Sequence, residues 1–434
     1  MVQYGKKKGA DEIEVSVVDS KDYEVNTRHE DIENLTQANS RFAAVKVIKG
    51  QKTAHVTSSD LSSSTLQTLV KNAVQRALFS QPDPCSGLPS LSRKKVNISS
   101  LQLFDPSLAR LDSQKKISLA LNTEKIALSD PRITNSHGAS FETREITSAL
   151  ANSNGFSQQY SETFSSLSLG LQAGEVDNKV EGGHSSTQRF FHNLETPEEL
   201  AKKAVHKTVR QLNSYKITTQ NVPVVFEPRM TSWLLGFLFN CVSGISVYRR
   251  ASFLLDKLNQ KIGGDNLFVY DDGLLPGKLG TEPFDSEGVP TQKTPVLEKG
   301  ILKNYLTNTY AGKKLHLPST GNAMGNHVGP HNFYLLPGKT PPHQITASLD
   351  PGFILTRTMG HGLNPITGDI SRGAQGLWVE KGEVVYPVSE VTIYGNLGEI
   401  LKDIDTIGND LDFWNIFAGP SIKIKNLTVA GKEN

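Results

Sequence analysis

The chain has 434 residues, 37% hydrophobic and 21% charged, and its 46 basic and 44 acidic side chains leave a formal charge of +2. This length exceeds one ordinary core and predicts two domains. The balanced charge supplies no field to draw the chain to nucleic acid or anionic lipid, so neither is expected as a partner.

The N-terminal "MVQYGKKKGADEIEV" has no apolar h-region and does not read as a signal peptide. "EIEVSVV" alternates as a half-buried strand does, and "RFAAVKVIKG", a turn and "QKTAHVTSSD" continue a sheet. In "DLSSSTLQTLVKNAVQRALFS", Asp60 and the serines are capping candidates for a helix with Leu66, Leu69, Val70, Ala73 and Ala77 on one face. Residues 80–95, "SQPDPCSGLPSLSRKK", read as a Pro- and Ser-rich surface connection.

A second helix is predicted over about Pro106 to Ser129. Ser, Thr and Gln at alternate positions in the following segment fit an antiparallel sheet with one solvated face. A third helix, about Thr196 to Leu212, carries the basic run "KKAVHKTVR", Lys202 to Arg210, at spacing that predicts a solvated face. The pattern changes at "SYKITTQNVP", which places a domain boundary between residues 1–215 and 216–434. Beyond it come the buried strand "VPVVFEP", one helix over Thr231 to Gln260, and then strands with Gly/Pro turns. The apolar run within that helix, Trp233 to Tyr248, holds Asn240 and two serines and is short for a membrane span. The fold class is α+β: an N-terminal antiparallel sheet with helices, and a strand-rich C-terminal domain with one long buried helix.

Candidate chemistry is sparse. "GHGLNPITGDISRGAQGLWVEKG", Gly360 to Gly382, lacks both phosphate-loop patterns and runs into strand, turn and strand, which argues against a nucleotide cradle. His327 and His331 are spaced i, i+4, yet Gly329 and Pro330 between them exclude a regular helix and with it the usual two-ligand geometry. His361 sits between two glycines and reads as a turn residue. No GxSxG occurs, and Cys241 lies in the most apolar stretch, where a thiol is inert packing. Asp285 with Glu287 in "FDSEG", and Asp271 with Asp272 in "DDG", read as ordinary turn carboxylates. Cys85 and Cys241 form no CxxC and fit a reducing, cytoplasmic compartment.

Five separated segments, in order, resemble the TldD/PmbA family, also called TldD/TldE or modulator of DNA gyrase proteins. They are "FDSEGVPTQ" with "LEKGILKNYLTNTYAGKKL", then "STGNA", "HNFYLLPG", "GLNPITGDISRGAQGLWVEKGEVVYPV" and "VTIYGNLGEILKDIDTIGNDL". The resemblance implies a zinc-dependent protease built from two homologous chains and acting on unfolded peptides. Its TldD branch carries zinc on an HExxxH helix, with the Glu as general base and a Cys near the C-terminus as third ligand. Anchored on "YRRASF", Tyr248 to Phe253, that motif falls here on "GFLFNC".

Gly236 and Cys241 then stand at the histidine positions and Phe237 at the glutamate position. No cysteine follows Cys241. The resemblance therefore implies a chain with no metal or cofactor of its own, a non-catalytic PmbA/TldE-type subunit. It would pair with a zinc-bearing TldD-type subunit, or form a homodimer when alone. His361, Asn364, Thr367 and Asp369 are expected to shape a cleft for an extended peptide. The alternative is an independent metallo- or cysteine-dependent peptidase acting as a homodimer, through Cys241 or through His327 and His331.

Overall fold

The structure is a computed structural model that describes residues 1–92, 96–175 and 178–432. Residues 93–95, the end of the expected surface connection, lie outside the described residues. The chain opens with a short helix α1 (Val2–Lys7), then strands β1 (Glu12–Arg28), β2 (Asp31–Lys49) and β3 (Lys52–Ser58) and helix α2 (Ser63–Phe79). Helix α3 (Ser113–Leu128), strands β4 (Ile133–Asn152), β5 (Ser157–Ala173) and β6 (Val180–Gln188), and helix α4 (Pro197–Val209) follow. The strands form one antiparallel sheet in the order β3-β2-β1-β4-β5-β6.

Alternation along β1 assigns its two faces. Ile13, Val15, Tyr23 and Val25 are buried in the cores beneath the helices, whereas Ser16 and Val18 face a cavity against the C-terminal half. Leu69, Val70, Ala73 and Ala77 of α2 are buried as expected, with Leu66 packed beside them. The expected start of α3 at Pro106 is too early. Leu108–Arg110 make only a 3-10 turn, and the helix begins where Asp112 accepts from Lys115 N, satisfying a donor that the first turn cannot. Helix α4 is closed by a capping box between Thr196 and Glu199.

The C-terminal half begins with β7 (Gln220–Phe226), α5 (Pro228–Val242) and α6 (Gly244–Tyr248), then β8 (Phe268–Asp272), β9 (Lys293–Glu298), β10 (Ile301–Leu302) and α7 (Thr309–Leu315). There follow β11 (Ala323–Met324), β12 (His327–Val328), β13 (Asn332–Leu335), α8 (Pro342–Ala347), β14 (Gly352–Met359), β15 (Asp369–Glu380) and β16 (Glu383–Asn396). The last elements are α9 (Leu397–Asp403), β17 (Ile404–Ile407), β18 (Phe417–Ala418) and β19 (Ile422–Ala430). One sheet runs β16-β15-β14-β7-β19-β17, and β16 returns to pair with β19, closing five strands on themselves. A second runs β10-β9-β8-β13-β18.

Helix α5 supplies Leu234, Leu235, Phe237, Leu238, Phe239, Cys241 and Val242 to the core it shares with strands of both sheets. A helix apolar over most of its surface is held by burial rather than by propensity. The single helix expected over Thr231 to Gln260 is broken at Ser243. That residue is extended, and Gly244 N donates to Leu306 O at 2.7 Å. A Cβ at Gly244 would sit 2.9 Å from the same carbonyl, so the passing Leu306 backbone sets the break. After Tyr248 the chain turns, with Arg250 at φ 57°. Among the described residues, no helix is long and apolar enough to cross a membrane.

Candidate functional site

The slot identified from the sequence lies along α5. Phe237 is 2% exposed and Cys241 fully buried, so neither position of the motif turns toward solvent. Gly236 lies on the half-exposed face of the helix with Trp233 and Asn240. The ring of Phe417, from the segment near the C-terminus, covers it. Phe417 in turn packs edge-on against Phe239 and Phe333, with ring centroids 5.7 and 5.8 Å apart. Burial pushes the Cys241 thiol up to about 12, and its carbonyl accepts from Ser252 Oγ at 2.6 Å.

A catalytic zinc needs three nitrogen, sulfur or oxygen ligands and an open position for water. The slot presents a glycine, two phenylalanine rings and a protonated thiol, which do not fit that group. Among the described residues, no three His, Cys, Asp or Glu side chains come together as a metal site.

His327 and His331 do not form a pair. His327 is exposed on β12, while His331 is buried at 2% exposure and is no ordinary loop histidine. Its Nε2 meets Gly321 O at 2.7 Å and its Nδ1 meets Glu282 Oε1 at 3.2 Å. Burial pulls the imidazole pKa down, but Asp271 and Glu282 more than offset it and push it up to about 9. Both ring nitrogens are then donors, so His331 has no lone pair for a metal or a proton.

The turn carboxylates are also more than surface turns. Asp285 is 1% exposed and accepts from the backbone nitrogens of Glu287, Val289 and Ala323, each at 2.9 Å. Burial and the Glu287 charge push its pKa up to about 7. Glu287 Oε2 accepts from Thr309 N at 2.9 Å, and its Oε1 faces Lys46 of β2 at 3.8 Å. "FDSEG" thus ties the C-terminal half together and reaches the N-terminal sheet.

His361, Asn364 and Thr367 lie in one exposed turn that leads into β15, and Asp369 is the exposed first residue of that strand. Asn364 Oδ1 accepts from Ile366 N at 3.0 Å, and Thr367 Oγ1 donates to Asp369 Oδ2 at 2.6 Å. Asn396 Nδ2 donates to Asp369 Oδ1 at 2.9 Å. The turn is anchored beside the slot's flanking segment, where Phe253 N donates to Pro365 O at 2.8 Å. These four side chains line neither of the two cavities between the chain's halves.

The cavities themselves were not foreseen. One, of about 430 Å³, is walled by Tyr160, Glu162 and Arg189 from the first half and by Glu282 and His331 from the second. Arg189, 1% exposed, donates to Glu162 and to the carbonyls of Lys278, Leu279 and Thr281. The other, of about 970 Å³, lies between β6, α4 and the N-terminal end of α5. The run "KKAVHKTVR" keeps Lys202, Lys203 and His206 exposed, the last two at the rim of this cavity, but half-buries Lys207 and Arg210 in its wall, so the expected solvated face is only partly right. The signal available in the sequence was the helical position of Lys207, one turn before Gln211.

Comparison with known proteins agrees with this architecture. The family model described as PmbA/TldA metallopeptidase domain 1 matches residues 13–77, the central-domain model residues 106–212, and the C-terminal-domain model residues 219–431. The chain is 35% identical to a metalloprotease PmbA homolog of Haemophilus influenzae, over 99% of this chain and 94% of that one. It is 34% identical to metalloprotease PmbA of Escherichia coli O157:H7, over 99% and 93%. The crystal structure of TldE from Thermococcus kodakarensis, 22% identical, superposes with a TM-score of 0.88 over 99% of each chain, a likeness of fold. With three family models matched from residue 13 to residue 431 and near full-length identity above 30%, the chain belongs to the PmbA/TldD family of metallopeptidases.

Proposed function

We propose that this chain is the non-catalytic subunit of a two-chain, cytoplasmic peptidase, pairing with a zinc-bearing homologous subunit that cleaves unfolded peptides. The observation that carries this reading is the slot on α5. Phe237 occupies the position of a general base and cannot take a proton from water. Gly236 offers no ligand and is roofed by Phe417. Cys241 is held protonated within the core. The exposed segment of His361, Asn364, Thr367 and Asp369, tied through Pro365 to the segment after the slot, is assigned to contact with the extended peptide.

The test measures zinc content by elemental mass spectrometry, and cleavage of an unfolded peptide by the chain alone and after mixing with a zinc-bearing family member. The reading expects no stoichiometric zinc, no cleavage alone, and cleavage above that of the partner alone on mixing. About one zinc per chain together with cleavage by the chain alone would overturn it.

A further inference from the structure

Two cations meet on one imidazole in the larger cavity. Lys207 Nζ and Arg229 Nη2 each lie 2.9 Å from His184 Nδ1. Two cationic donors on one nitrogen require that nitrogen to be the acceptor, so His184 is neutral there and carries its proton on Nε2. That Nε2 faces Glu195 at 3.1 Å. The imidazole is therefore a neutral spacer holding two positive charges side by side.

Of the carboxylates that act on Arg229, Asp412 lies on the cavity wall beyond ion-pair distance, and the other two are engaged elsewhere. Glu195 also takes Lys203 at 3.0 Å, and Glu227 takes Arg210 in a two-pronged pair at 2.7 and 2.8 Å. Among the described residues, neither Lys207 nor Arg229 forms an ion pair. Burial and the charge of Arg229 push Lys207 down to about 8, the mark of a cation short of a counter-charge. Arg229 is also in the first turn of the fifteen-residue α5, whose N-cap Glu227 makes no side-chain cap bond. The helix dipole adds positive potential at the same point.

We propose that Lys207 and Arg229, spaced by His184, bind an oxyanion, and that its source is the C-terminal carboxylate of a peptide. The oxyanion follows from charge: Arg229 Nη2 is taken by His184 Nδ1 and by Ser185 O at 3.1 Å, which leaves the Nε and Nη1 protons of its guanidinium, and Lys207 adds a point charge beside them. The peptide follows from two further unmet groups on the wall. Gln211 is 5% exposed, with its Nε2 on Thr356 Oγ1 and its Oε1 without a partner. Arg210 Nε is also buried without a partner. A peptide backbone carries both donors and acceptors for such groups, whereas free phosphate supplies acceptors above all.

From Arg229 the half-exposed face of α5 runs through Trp233 to Gly236. Seven helical residues span about 10 Å, the length of about three residues of extended chain. A peptide held by its carboxylate would thus lay its third or fourth residue from the end beside the Phe417 ring that covers Gly236. This last step rests on the proposed function; the anion site does not.

The test is isothermal titration of the full chain with N-acetyl-trialanine as free acid and as C-terminal amide, and with inorganic phosphate. The proposal expects the acid to bind and the amide to bind about tenfold or more weakly. Lys207→Met and Arg229→Gln should each weaken the acid by a similar factor, while thermal unfolding verifies that both variants fold. Phosphate binding that the same variants abolish, without peptide binding, would keep the oxyanion site and overturn the peptide source. Equal binding of acid and amide, unchanged binding in both variants, or no binding of any probe would overturn the proposal. These readouts are independent of cleavage on mixing, so the anion site and the subunit role fail separately.

Discussion

Phe417 packs over Gly236, and a Cβ added to that glycine would lie 3.9 Å from two carbons of the ring, an ordinary contact. Gly236→Ala should therefore raise stability by about 0.5–1 kcal/mol, the helix-interior difference between the two residues. Phe237→Glu should lower it by about 3 kcal/mol or more, since the side chain is core and a carboxylate there has no partner. Urea unfolding of both variants checks the pair. A neutral Phe237→Glu would mean that this position is open to solvent.

Arg189 is the buried clamp between the halves, donating four hydrogen bonds, one to Glu162 and three to carbonyls across the junction. Replacing it by Met leaves those acceptors unpaired and should cost about 3–5 kcal/mol. Lysine should rescue little, because a point charge cannot reach carbonyls that the planar fork spans. Denaturant midpoints decide this, and full rescue by Arg189→Lys would refute the clamp.

Stability should fall as pH rises from about 5.5 to about 8. The sign follows from three groups. Glu14, by burial and despite Lys46, and Asp285 are both pushed up to about 7, and His331 is held up at about 9. Unfolded carboxylates titrate near 4 and histidine near 6.5, so over this window the folded chain holds more protons. The His331 contribution is complete below about 6.5 and lost through about 9. Lys207, pushed down to about 8, opposes the trend above that pH, and His55 and His184, both held down by burial, oppose it at the lower end of the range. Urea midpoints across the range should show the slope, and His331→Gln should flatten its upper part. A rising slope would contradict the protonated His331.

Thiol chemistry distinguishes the two cysteines. Cys85 is partly exposed, whereas Cys241 is buried and pushed up to about 12 by desolvation. A disulfide reagent at neutral pH should modify one thiol in the native chain and two after unfolding. Rapid native reaction of Cys241 would restore the cysteine-peptidase alternative.

Much of the fold was legible because periodicity reports burial. The α2 face, the antiparallel N-terminal sheet and the strands around the glycine-rich turn all follow from local pattern. What was illegible depended on distant partners. The hairpin at His29 and Glu30 has φ values of 53° and 64° with no glycine. Its two amides are held by the Glu124 carboxylate at 3.0 and 3.1 Å from α3. Asp285 looks in sequence like any turn aspartate, and only the neighbouring loops make it buried. At the slot, the substitutions at Gly236, Phe237 and Cys241 were visible against the family pattern, but the Phe417 cover was not. Lys207 sat in a run whose other two lysines, Lys202 and Lys203, are exposed, so charge density concealed the one lysine that is half-buried.

The placement of β19 has a consequence for how the chain is made. Its residues Ile422 to Val429 lie between β7 and β17, with Ile424 opposite Val224. A ribosome releases the first half, whose sheet pairs among strands that end at Gln188, long before it releases β19. The N-terminal sheet is thus free to fold during synthesis. The closed strands around α5 must wait with β7 unpaired on one side, its apolar surface open to chaperones, until Ile422 to Ala430 have emerged.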